Sequence, residues 1–93
     1  MLLTTNILTA VVTAYIATGK PAADGHLPVV GKTIAAPRSV PLGSLVLIND
    51  HTFLAEDRTA RRFNGRFDIF VATKNEAIKF GKKTLTIKII TIK

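Results

Sequence analysis

Phe53-Leu54-Ala55-Glu56-Asp57-Arg58-Thr59-Ala60-Arg61-Arg62-Phe63-Asn64-Gly65-Arg66-Phe67-Asp68-Ile69-Phe70 is the stretch on which the reading of this chain turns. Its two ends, Phe53 to Ala55 and Phe67 to Val71, are apolar and strand-like, and each has an aspartate at its edge, Asp57 and Asp68. Between them runs a basic loop, Arg58 to Arg66, closed by an Asn64-Gly65 turn. The chain has only 6 Asp and Glu in 93 residues, so two of them framing one cationic loop is its most distinctive arrangement of charge.

Ninety-three residues (1–93) suffice for one small domain with a single core. The 47% hydrophobic content is that of a folded protein. There is no cysteine, hence no disulfide framework and no thiolate metal site. Lys and Arg number 13, for a net charge of +7, which favours polyanionic partners: nucleic acid, an anionic membrane or an acidic cell-wall polymer. The aromatics are five Phe and one Tyr, with no aromatic-basic cluster suited to stacking bases, so nucleic acid ranks last.

Outward from the central stretch, Met1 to Gly19 carries no charge and approaches the length of a membrane span. Its threonines and Asn6 are too polar for one, and it lacks the basic start of a signal peptide. Ile7 to Ile16 suits a buried strand, with no export signal and no membrane span expected. Thr18 to Lys32 is a loop punctuated by Gly and Pro. Strands are expected at Thr33 to Ala35 and at Leu45 to Ile48, followed by a turn at Asn49-Asp50-His51 into the strand at Phe53. Thr73 and Glu76 form a capping box for a helix from Lys74 to Phe80 that stops at Gly81. Thr84 to Ile92 is the last strand; its apolar parity passes from Leu85, Ile87 and Ile89 to Ile90 and Ile92, which predicts a bulge or burial on both faces. About six short strands and one helix favour a mainly β fold, a closed barrel without edges.

Thr13-Ala14-Tyr15, Ala23-Asp24-Gly25, Pro37 with Pro41-Leu42-Gly43, Ala55-Glu56-Asp57, Arg66-Phe67-Asp68-Ile69-Phe70 and Glu76-Ala77 with Phe80-Gly81-Lys82-Lys83 fall in one order. In that order the chain resembles the 3D (Asp-Asp-Asp) domain, the double-psi β-barrel of membrane-bound lytic transglycosylase A. The resemblance runs from about Val11 to Ile90. It implies a six-stranded double-psi barrel that acts on peptidoglycan without a cofactor. The implied reaction is cleavage of the β-1,4 bond between N-acetylmuramic acid and N-acetylglucosamine, closing a 1,6-anhydro ring. A single carboxyl would serve in turn as acid and base, with further carboxylates around it. By resemblance Asp57 is that acid/base and Asp68 its assistant. Tyr15, Asp24, Arg58 and Arg66 are expected to contact substrate. The chain departs from the family pattern at Ala36, where the first aspartate belongs, and at Arg58-Thr59-Ala60, which replaces Thr-Gly-Gly.

Each site has a plainer reading. Asp57 could form a salt bridge to Arg58, Arg61 or Arg62; Asp68 could bind loop amides; Asp24 before Gly25 could be a turn residue. His26 and His51 have no metal-site spacing and are expected on the surface, with no metal bound. Glu56 should point away from Asp57 if the strand continues. The alternative to an enzyme is therefore a barrel with a partly erased site, serving as a wall-binding or structural module, for example a bacteriophage virion or tail component. Its partners would be glycan strands or other virion and wall-associated proteins.

Overall fold

The uncharged N-terminal run becomes the longest strand, and the rest of the sheet assembles against it. The computed structural model describes residues 2–63 and 65–92. In chain order the elements are β1 (Leu3–Tyr15), β2 (Thr33–Ala36), β3 (Leu45–Ile48), β4 (His51–Arg58), a 3-10 turn (Arg61–Phe63), β5 (Phe67–Phe70), α1 (Lys74–Phe80) and β6 (Lys83–Ile92). The strands close in the order β1-β5-β2-β4-β3-β6. Two parallel pairs, β1 with β5 and β2 with β4, are joined by antiparallel pairing of β2 with β5, and β3 and β6 complete the ring. This mixed six-stranded barrel with one short helix is compatible with a double-psi barrel.

Local chemistry accounts for several joints. The two-residue connection from β3 to β4 puts both Asn49 (φ 49) and Asp50 (φ 67) in the left-handed region, the conformation that twists a hairpin correctly and that Asn and Asp tolerate best. Thr73 caps α1 by accepting the Glu76 amide at 3.2 Å, and its hydroxyl donates to Glu76 Oε1 at 3.1 Å. Gly81, at φ 68, ends the helix in a conformation that favours glycine. Asn64, half of the expected Asn64-Gly65 turn, lies outside the described residues.

Several features differ from expectation, and His51, expected in the turn, opens β4. β1 starts at Leu3 rather than Ile7, because β6 continues to Ile92 and pairs with it residue for residue. β4 runs on to Arg58, so Asp57 stands within a strand rather than at a loop edge. Of the two outcomes expected for β6, a bulge or burial on both faces, no bulge forms: register with β1 is continuous from Lys83 to Ile92, and Ile90, between buried Ile89 and Thr91, is half-buried. Thr91 takes the buried position after Ile87 and Ile89, its hydroxyl 3.2 Å from that of Ser44, while Ile92 is exposed. A hydrogen-bonded Thr–Ser pair thus fills the inward site that the apolar parity assigned elsewhere.

The core is built from the inward faces of all six strands, including Val12, Ile34, Val46, Phe53, Phe67 and Ile87. Phe67 is the largest fully buried side chain. Truncation to alanine leaves a cavity that rigid strands on every side cannot close. Phe67→Ala is expected to cost about 3–5 kcal/mol, read as a lower urea midpoint with an unchanged slope.

Candidate functional site

A bulge in β4 decides where the aspartates point. Ile34 pairs with Ala55, but the next residue of β2, Ala35, pairs with Asp57, so Glu56 is the extra residue. Without it, Ala55 and Asp57 would share a face by simple alternation. With it, Ala55 goes to the core and Asp57 goes to the outer wall of the barrel. Glu56 is buried beside the bulge, where Oε1 accepts from the Thr33 hydroxyl at 2.8 Å and Oε2 lies 3.6 Å from the Lys32 ammonium.

On its other edge Ala35 pairs with Asp68 of β5, and Asp68 in turn pairs with Thr13 of β1. Asp57, Ala35, Asp68 and Thr13 therefore form one row across four adjacent strands. The loop after β1 lies over this row. A cleft of about 220 Å³ results, lined by Tyr15, Ala35, Asp57, Arg58 and Asp68, with Lys20 and Pro28 of the loop among its other walls. A larger groove of about 420 Å³ beside Asn6, Ile7 and Leu8 is lined by no titratable side chain, whereas the smaller cleft brings Asp57 and Asp68 together.

The two carboxylates have different surroundings. Asp57 accepts from the Tyr15 hydroxyl at 3.1 Å, from the Ala23 amide at 3.0 Å and from the Arg58 amide at 2.9 Å. Asp57 thus offers lone pairs to three donors. Burial, with the charge and the hydrogen bond of Asp57, pushes the Tyr15 phenol well above its usual 10.0, so Tyr15 keeps the proton it donates. Asp68 accepts from the Thr13 hydroxyl. Burial raises the Asp68 carboxyl above the usual 3.8; the charge of Asp57 adds to the rise and that of Arg66 opposes it.

The remaining expected residues divide. Arg58 lines the cleft, but its guanidinium donates to the carbonyls of Pro37 (2.7 Å) and Val40 (2.5 Å). Among the described residues Asp57 forms no salt bridge. Arg66 lies outside the cleft, its guanidinium 4.3 Å from the Phe63 ring, with Arg62 at 4.9 Å. This is an aromatic-basic cluster that the sequence reading did not find, with the ring engaged by its own arginines. Asp24 is also outside the cleft: it accepts the His26 amide at 3.0 Å, as the turn reading has it. The His26 amide first, and its side chain after, keep the Asp24 carboxyl below the usual range. Asp24, His26 and Glu56 bring potential ligand atoms within 4.8 Å of one another, with Lys32 and the Thr33 hydroxyl already engaging Glu56. Ala36, where the family pattern has an aspartate, is wholly buried in the core, and Ala35 is the residue of β2 that faces the cleft.

Sequence reasoning missed two residues of the site. Thr13 holds Asp68, and its place follows only from strand register. Thr59 lines the cleft, and its hydroxyl is buried without a hydrogen-bond partner. Comparison with family models, with curated proteins and with solved structures returned no match for this chain.

Two outcomes follow. Thr59→Val exchanges an unpaired buried hydroxyl for a methyl of the same shape and should raise stability by about 1 kcal/mol, measured by urea unfolding. For Asp68, a pKa raised by folding adds stability that is complete below the usual carboxylate value and is lost as pH rises through the folded value. Asp68→Asn should therefore melt higher than wild type at pH 7, with the gap closing at pH values below the usual carboxylate range. A gap independent of pH would contradict the assignment.

Proposed function

We propose that the cleft is a peptidoglycan-directed site of the 3D type, and that the protein is a small lytic transglycosylase. The observation that carries this reading is the pairing of both Asp57 and Asp68 with one alanine, Ala35, which sets two carboxylates on one wall beside a cleft. A volume of about 220 Å³ is below the roughly 300–1,000 Å³ of most small-molecule sites, which suits a single sugar ring at the scission point with the glycan strand running outside.

The environments favour an exchange of the roles expected from sequence. Asp68, whose burial favours the protonated form, is the group to protonate the glycosidic oxygen as the C1–O bond breaks. Asp57, fixed by Tyr15 and two amides, is the carboxylate that faces the developing oxocarbenium charge. The sugar's 6-hydroxyl then adds to C1 and returns its proton to Asp68. The anhydro ring closes without water.

A second reading has its own observation. Ala36 is wholly buried in the core, so a family carboxylate has no counterpart at that position, and the barrel would then bind wall polymer or serve as a structural part of a larger particle. Purified sacculi separate the two. The enzyme reading expects 1,6-anhydro-muropeptides by mass spectrometry, with Asp68→Asn slowing release about 10²–10⁴-fold, the worth of a general acid. Sacculi that retain the protein but yield no anhydro product at any pH from 4 to 8 would leave the binding module standing.

A further inference from the structure

The barrel closes on only the last part of β1. β5 pairs with Val12 to Tyr15, whereas β6 covers the other edge from Leu3 to Val12. The Val71 amide donates to the Tyr15 carbonyl at 2.9 Å, so Tyr15 turns its peptide groups toward β5. By alternation along a strand whose register with β6 is unbroken, Leu3, Thr5, Ile7 and Thr9 turn theirs the same way. Among the described residues no strand meets them there.

This open edge lacks the usual protection. Leu3 to Thr9 are all exposed, Leu3 at 63% and Ile7 at 67%, and the stretch contains no Lys, no Pro and no bulge. We infer that it is the contact between two copies of this chain, paired antiparallel about a twofold axis through Asn6. In that register Leu3 lies opposite Thr9 of the second copy and Thr5 opposite Ile7. All four outward-turned residues then exchange backbone hydrogen bonds with their counterparts, and the two sheets become one.

Charge selects a second copy here. Each chain carries +7, so association needs a surface free of like charge, and no side chain from Leu3 to Thr9 is ionisable. On β6, Lys88 pairs opposite Ile7, and Arg62 and Arg66 line a pocket with Thr9 at one end of the edge. Across the joined sheet the two β6 strands stand about 14 Å apart at the ~4.8 Å spacing of neighbouring strands. That exceeds the ~8 Å screening length at physiological salt. On the inward face, the groove of about 420 Å³ beside Asn6, Ile7 and Leu8, bordered by Pro37 and Val40, leaves room for Thr4 and Leu8 of the second strand.

Sedimentation equilibrium of the whole chain at tens of micromolar should give twice the mass of one chain. Thr5→Pro removes an amide that points to the open edge and leaves the β6 ladder intact; Ile7→Lys places a charge in the contact. Each should weaken association at least tenfold, about 1.4 kcal/mol, with the strand circular dichroism unchanged. Asn6→Cys, in a protein with no other cysteine, should form a disulfide dimer under mild oxidation, whereas Lys82→Cys should not. A monomer at every concentration, a dimer indifferent to both Thr5→Pro and Ile7→Lys, or an Asn6→Cys dimer that never cross-links would each overturn the inference; the monomer would leave the edge to a strand of another protein.

Discussion

One extra residue in β4 governs the outer wall of this barrel. Because Glu56 has no partner in β2, the alternation of side chains reverses between Ala55 and Asp57. Remove the bulge and Asp57 would face Ile34 and Phe67 in the core, where an unpaired carboxylate is too costly to bury. With the bulge in place, Glu56 is the carboxylate that is buried, and Thr33 and Lys32 satisfy it. The same device tightens the sheet locally, which suits a strand that must pair parallel on one edge and antiparallel on the other.

From that constraint the site follows in order. β2 is only four residues long and sits between β4 and β5, so its one outward residue in the row, Ala35, touches both aspartate positions. A small side chain there leaves the cleft open. Burial first, and the charge of Asp57 after it, raise the Asp68 carboxyl in this row. Tyr15 and Thr13, on β1, brace one aspartate each.

Much of the fold was legible because its signals are local. Thr73, Glu76 and Gly81 delimit α1 to the residue, and Asn49-Asp50 carries the hairpin. Asp57 and Asp68 stand out by the scarcity of acids. What could not be read depends on register between distant segments. A bulge at Glu56 leaves no mark in composition, since Ala-Glu-Asp reads the same with or without it. The parity change at Ile90 left a bulge or burial on both faces open, and a buried Thr91, hydrogen-bonded to Ser44 across 47 residues of chain, takes the inward site without a bulge. Asp24 reads either as a substrate contact or as a turn residue, and its side chain is taken up by its own turn.

The central claim is that burial in this row raises the Asp68 carboxyl and that the charge of Asp57 adds to the rise. Carboxyl-carbon NMR titration of the two aspartates, in wild type and in Asp57→Asn, reads this directly. Asp68 should titrate above the usual carboxylate range in wild type and move down when the charge of Asp57 is removed. An Asp68 that titrates in the ordinary range, or that ignores the change at Asp57, would contradict the account.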